Sequence, residues 1–251
     1  MDCTSQTIPF GYLGDFTDDR IALACTPQGG ILLHTPKYSE TDNIQQRKAN
    51  FVLDSSGDLN GEMVTTFKGI DYEEREMYGI VQESYTNQVK DMQRLYPINN
   101  MEIEKLAFNQ DKGPHPVTTE NIKLKASEYA AVTDGKIHFL LNPVNRVESA
   151  PKMVRNRTTD LYINEGYTDE DEISYTIPSG YRQDTEPLNV SIKNTFGSFT
   201  ATSTIQGDKL IYKRRLQLID GTYPKEKYQD FVDFYQAVAD ADEYDVILAK
   251  N

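Results

Sequence analysis

Tryptophan is absent from these 251 residues, histidine occurs three times and cysteine twice. Cys3 and Cys25 are too few for a disulfide framework and lack Cys-x-x-Cys spacing, which excludes the common zinc and redox motifs. They read as ordinary thiols near the start, with a Cys3–Cys25 bridge as the alternative. His34, His115 and His138 show no ligand spacing, so no metal site follows from them. No run approaches the roughly 18 apolar residues of a membrane-spanning helix, and no basic stretch followed by an apolar core marks a signal peptide. Basic charge is scarce as well: 26 Lys and Arg against 39 Asp and Glu leave a net charge of −13. Such a surface repels phosphate backbones, which argues against a nucleic-acid partner. Neither a Gly-x-Gly-x-x-Gly run nor a phosphate loop occurs, and no cofactor is expected.

What the chain does have is tyrosine, 16 of them, with 10 phenylalanines. Tyrosine with Thr and Val suits pleated, half-buried surfaces. At 38% hydrophobic residues the chain can also bury a real core. The expected fold is mainly β, with antiparallel sandwich-like sheets and two amphipathic helices.

Along the chain, Ile21–Thr26 and Ile31–Thr35 flank the turn-forming Pro27–Gly30 and predict a hairpin. Ile21, Leu23, Ile31 and Leu33 alternate and are expected to offer one apolar face, which should pack on the body or pair with another chain. The polar stretch 37–46 reads as a linker, with a boundary near residue 40. Ala49, Phe51 and Leu53, the turn 54–58 and the alternating 62–68 predict a second hairpin. From 71 to 96 the apolar residues Met77, Ile80, Val81, Tyr85, Val89, Met92 and Leu95 fall at helical spacing, and Pro97 ends them. Met101–Phe108 predicts a strand with Met101, Ile103 and Lys105 on one side. The Gly113–Pro116 loop marks a candidate subdomain break near 112–118. Ile122–Ala126 should turn at Asp134-Gly135 into a partner strand, 136–141, and 142–157 reads as a surface excursion. Strands follow at 161–167, 173–177, 188–196, 199–206 and 209–219, with 168–171 as a turn. A helix from about 225 to 242, with Tyr228, Phe231, Val232, Tyr235 and Val238 as its stripe, and a strand over 244–249 close the chain.

Candidate chemistry is sparse. Cys25 and His34 flank one hairpin, but Cys25 lies in an apolar run without a basic neighbour and reads as a buried, inert thiol. The acidic groups Asp18-Asp19, Asp169–Glu172 and Asp240, Asp242, Glu243, Asp245 lack the order of a calcium loop and read as solvated turn residues. Tyr162, Tyr167, Tyr175, Tyr181 and Tyr212 would form a carbohydrate- or protein-binding face only if they clustered on one exposed surface; half-buried sheet positions are the simpler reading.

Two sets of residues carry a family resemblance. Asp2-Cys3-Thr4 followed by Pro9-Phe10-Gly11 resembles the last active-site strand of bacterial transglutaminase-like proteins. There an Asp-x-Thr motif supplies the third member of a Cys-His-Asp triad. Arg157–Ile163, Gly166-Tyr167, Asp171–Tyr181, Asn194–Gly197, Tyr212–Leu216 and Gly221–Pro224 look like the C-terminal β-rich domain of unknown function in secreted members of that family. The resemblance covers nearly the whole chain. It implies that 1–40 is a remnant of a papain-like core with its linker, and that 41–251 is the tail domain. It also implies export in a Gram-negative bacterium, to the periplasm or beyond, and Asp2 as a triad member only beside an upstream Cys and His. Without those two residues the chain is expected to be non-catalytic. Its expected role is an accessory domain packed against the upstream core of the same polypeptide, with self-association through the N-terminal hairpin as a further candidate. An independent binding module and a carboxylate-dependent hydrolase are the rival readings. The hydrolase would show two acidic residues facing across a pocket, one with a raised pKa.

Overall fold

The computed structural model describes residues 9, 11–14, 17–72 and 77–251, leaving aside the side chains at 71 and 78. Asp2 and Cys3 lie outside the described residues. Strands β1 (Ile21–Thr26) and β2 (Gly29–His34) form a two-stranded sheet of their own. Then come β3 (Ile44–Leu53), β4 (Leu59–Lys68), helices α1 (Met77–Gln82) and α2 (Tyr85–Leu95), β5 (Met101–Asp111) and β6 (Val117–Ala126). They are followed by β7 (Ala131–Thr133), β8 (Lys136–Leu140), β9 (Leu161–Ile163), β10 (Tyr167–Thr176), β11 (Tyr181–Gln183) and β12 (Asn189–Asn194). The chain closes with β13 (Gly197–Gln206), β14 (Lys209–Leu218), β15 (Gly221–Tyr223), α3 (Tyr228–Asp242) and β16 (Asp245–Lys250).

Eight strands make the main sheet, in the order β12-β13-β14-β10-β3-β4-β6-β5. Its neighbours are antiparallel except at the middle, where β10 runs parallel to β3. Two antiparallel halves therefore meet at one parallel seam. A second sheet, β11-β16-β8-β7, contributes Ile137, Phe139, Val246 and Leu248 to the same core as Phe51, Ile122, Tyr175 and Phe199 of the main sheet. The Tyr175 ring is central to it, 5.2 Å from Phe139 and 5.7 Å from Phe51. Strict alternation drives this packing: in β3 and β14 every second residue is buried, so one face of the sheet is core and the other is wet. Each fully buried Leu or Phe contributes about 1.5–3 kcal/mol. The fold is mainly β with several antiparallel sheets, as the composition implied.

Several local expectations are corrected. The long helical stripe is cut in two: Ser84 breaks out at φ −64, ψ 150 and caps α2 by accepting a bond from the Asn87 amide. Met77, Ile80 and Met92 are buried, but Tyr85, just after the break, is 53% exposed. In β5 the register shifts between Ile103 and Lys105, so Leu106 takes the inward position and Lys105 turns to water. β8 does not return against β6; it pairs with β7 and β16, while β6 lies between β4 and β5. The polar stretch 37–46 runs into β3 at Ile44, with Asn43 and Gln45 buried. The loop expected at 113–116 is present, joining β5 to β6. Residues 168–171 are not a turn: they belong to β10.

The N-terminal hairpin forms, but its register differs from the expectation. Gly29 and Gly30 join the strand, which leaves Pro27 and Gln28 as the loop and sets Leu23 opposite Leu32 and Ala24 opposite Ile31. Directly opposed residues share a face. Ile21, Leu23, Cys25 and Leu32 thus lie on one side, and Ala22, Ala24, Ile31 and Leu33 on the other. None of its large apolar side chains packs on the body: Ile21 is 74% exposed, Leu32 72%, Leu23 63%, Leu33 54% and Ile31 50%. Cys25 is a free, exposed thiol for the same reason.

Candidate functional site

The chemically richest place lies on the inner face of the main sheet, at the parallel seam. The register sets Glu120 (β6) beside Thr65 (β4), Thr65 beside Arg47 (β3), Arg47 beside Asp171 (β10) and Asp171 beside Arg214 (β14). Alternation then turns all five side chains inward, where each is at most 3% exposed. One polar row thus crosses the inner face of the sheet, with buried Gln45 and Asp169 beside it.

Its bonds are well formed. Arg47 Nη1 donates to Asp171 Oδ1 at 2.8 Å and Arg47 Nε to Thr65 Oγ1 at 3.2 Å. Arg214 grips Asp242 of α3 with a two-pronged fork, Nε to Oδ1 and Nη2 to Oδ2, both 2.8 Å. Its third nitrogen, Nη1, lies 3.5 Å from Asp171 Oδ2, an ion pair without hydrogen-bond geometry. Asp242 sits at the C-terminal end of α3, where the helix dipole disfavours an acid. The Arg214 fork and the Val147 amide, 2.9 Å from Asp242 Oδ2, outweigh that. At the other end, the Tyr96 hydroxyl just past α2 reaches both oxygens of Glu120, at 2.8 and 3.0 Å.

Burial shapes the protonation of the row. It pushes the Glu120 carboxyl up to about 7, against the opposing pull of Arg47 and the hydroxyls of Tyr96 and Thr65. Burial, with the Glu120 carboxyl, likewise raises Tyr96, which keeps its proton and donates it. For both arginines burial works against the charge, yet they are held above their ordinary range: Arg47 chiefly by Tyr96, Asp171 and Glu120, Arg214 chiefly by Asp242.

Of the acidic residues flagged in the sequence, Asp169, Asp171 and Asp242 are buried, not solvated. Period-two alternation explains it: Asp169 and Asp171 face inward on β10, whereas Glu170 and Glu172 face out, toward Arg215 at 3.1 Å and Lys213 at 3.4 Å. Asn145 Nδ2 reaches Asp171 Oδ2 at 3.2 Å and Asp169 Oδ2 at 3.4 Å, so the start of the 142–157 excursion is part of the core. Arg47, Glu120, Tyr96, Asn142 and Asn145 gave no signal along the chain. The one cue was a charged residue at an inward position of an alternating strand, as with Arg47 two residues before Ala49.

A pocket of about 240 Å³ adjoins the row, lined by Gln45, Arg47, Phe67, Met77, Leu95, Tyr96 and Val144. No carboxylate lines it among the described residues, so Glu120 meets only half of what the hydrolase reading requires. Among the described residues no three His, Cys, Asp or Glu side chains are placed to hold a metal ion. Cys25 and His34 do not meet: His34 stands opposite Ile21, four residues from Cys25 along β1, roughly 13 Å away at strand rise. The five named tyrosines do not share an exposed face. Tyr175 and Tyr212 are buried, Tyr167 and Tyr181 are half-buried, and Tyr162 alone, at 64%, is exposed. No helix among the described residues is long and apolar enough to cross a membrane.

Comparison with known proteins places these observations. The model of a family described as a domain of unknown function with a solved structure (DUF3858) matches residues 136–248, from β8 into β16. It thus covers the second sheet's two long strands, α3 and the half of the main sheet that carries Asp171 and Arg214, but not β3, β4 and β6. No curated protein matches. Among solved structures, the 2.00 Å crystal structure of a protein described as "a putative protease" from Parabacteroides distasonis ATCC 8503 is similar, with a TM-score of 0.40 and 16% identity. The similarity covers 47% of this chain, which spans only 24% of that one. Residues 136–248 are similar to a domain of unknown function, in a chain whose fold is mainly β.

Proposed function

We propose that this chain is a non-catalytic accessory domain, of the kind found at the C-terminal end of exported transglutaminase-like proteins, and that it docks on the catalytic core of such a polypeptide. The observation that carries the reading is the β1–β2 hairpin, apolar on both faces and covered by nothing among the described residues. A strand pair with one apolar face lies on a surface, whereas a pair apolar on both faces belongs inside a core, between two layers. The resemblance of residues 2–11 to the last active-site strand of that core supplies the neighbour into which residues 21–34 would insert. The buried row is consistent with a supporting role, since its carboxylates are engaged by arginines, hydroxyls, amides and Asn145 instead of facing a cleft. The same resemblance makes the periplasm or the exterior the proposed location.

Amine-incorporation and peptide-cleavage assays on the chain are expected to read zero, with no change on Cys25→Ala. Amides of residues 21–34 are expected to exchange quickly in this chain and to become protected in a longer polypeptide that carries a transglutaminase-like core. Turnover abolished by Cys25→Ala, or exchange in 21–34 that stays fast in the longer polypeptide, would overturn the reading.

A further inference from the structure

Against a net charge of −13, one cleft is lined by three basic side chains, Arg155, Arg157 and Lys225, and one acidic one, Glu226. The irregular segment 151–160 crosses the entry of α3 and brings Arg155 and Arg157 beside Lys225. Between 153–157 and 225–229 lies a cleft of about 490 Å³ with Tyr228 at its base. Although it has no regular structure, the segment is pinned at both ends. Tyr228 donates its hydroxyl to the Lys152 carbonyl at 2.8 Å, and the Arg157 guanidinium lies 4.5 Å from the Tyr228 ring centroid. Arg157 also donates to the carbonyls of Thr159 at 2.9 Å and Asp160 at 3.0 Å. The residues held between the pins point outward: Met153 is 43% exposed and Val154 46%, next to exposed Arg155.

We propose that this cleft is a docking surface for an acidic segment of a partner protein, one that sets an apolar side chain against Met153 and Val154 and carboxylates against Arg155 and Lys225. Charge complementarity selects the occupant. Of the nearby acids, Asp230 is paired with Lys227 at 2.8 Å, while Asp160 accepts from the Lys225 amide at 3.1 Å and keeps its charge. Arg155 and the Lys225 ammonium have no acidic partner among the described residues, so their charge is available to a ligand. A long polyanion is disfavoured, because the rest of the molecule repels it and Glu226 stands at the rim. A short acidic stretch feels mainly the local cations, since screening confines the interaction to about 8–10 Å. The pinned backbone reduces the ordering cost of binding.

The test uses a fluorescein-labelled peptide of alternating Glu and Leu, followed by anisotropy with the full chain at low and raised ionic strength. Binding is expected, weakening with salt and falling by about tenfold or more in the double variant Arg155→Glu, Lys225→Glu. The double variant Lys105→Glu, Lys193→Glu makes the same charge change on exposed strand positions elsewhere and is expected to bind as the parent does. Met153→Ser is expected to weaken binding by a smaller factor that salt does not alter. Near-UV circular dichroism confirms that each variant is folded. No binding at millimolar peptide, or equal losses in the two charge variants, overturns the proposal. Displacement of the peptide by inorganic phosphate as readily as by unlabelled peptide would reduce the cleft to a simple anion site. Dimers in sedimentation that dissolve only in the Arg155, Lys225 variant would make a second copy of this chain the occupant.

Discussion

Residues 21–34 hold five large apolar side chains in water, while the row from Glu120 to Arg214 holds ionisable ones in the core. Each reverses the usual distribution, and for different physical reasons. The hairpin closes its own backbone bonds through a two-residue loop, so it can form as a local unit, but nothing in the described chain covers either face. The row lies where local structure gives no help. The β3–β10 seam is parallel and joins segments more than a hundred residues apart, so no turn fixes its register. A slip by two residues would keep every side chain on its face yet set Asp171 opposite Gln45 or Ala49 in place of Arg47. The exposed apolar strands thus form by local pairing alone, whereas the buried ions mark a pairing that hydrophobic alternation alone would leave open to slippage by two residues.

The largest expected effect comes from removing the anion at the seam. Asp171→Ala leaves Arg47 and Arg214 buried with a partner lost, and such breaks cost about 3–5 kcal/mol. Urea unfolding checks it; a loss below about 1 kcal/mol would mean that water or relaxation replaces the carboxylate, and the contrast with the hairpin would fail.

A smaller effect depends on pH. The Glu120 carboxyl titrates near 7 in the fold against an ordinary 4.5, so between those values the native state holds more protons than the unfolded chain. The stability from the protonated group is fully present below about pH 4.5 and is lost as pH rises through about 7, on the order of 3 kcal/mol. Glu120→Gln, which stays neutral and still accepts from Tyr96, should flatten that decline. Identical slopes of stability against pH in parent and variant would show that the group titrates elsewhere.

The smallest effect is expected in the hairpin. Leu23→Ser with Leu32→Ser removes two exposed side chains on one face, and the stability of the chain should change by no more than about 0.5 kcal/mol. Self-association or dye binding should fall at the same time. A loss of several kcal/mol would mean that β1 and β2 are packed on the body in solution, which would remove the distinction between the two regions.

Alternation written into residues 49–53 and 199–206 was enough to predict strands with one buried face, and Pro97 and the Tyr228–Val238 stripe were enough to place helix ends and faces. These are local properties, set by side-chain direction along a strand or around a helix. The break at Ser84 was hidden because seven apolar residues kept helical spacing across it. Asp169–Glu172 looked like a turn because acids favour turns, yet these residues belong to β10, between β3 and β14, and alternation turns Asp169 and Asp171 inward. The row could not be found by reading along the chain, since Arg47, Glu120, Asp171, Arg214 and Asp242 come from five separate elements. Composition and period fix which residues can share a face, because they act over a few bonds. Which faces meet, and hence which charge finds which partner, depends on strand order and register across 195 residues from Arg47 to Asp242, and folding alone supplies that.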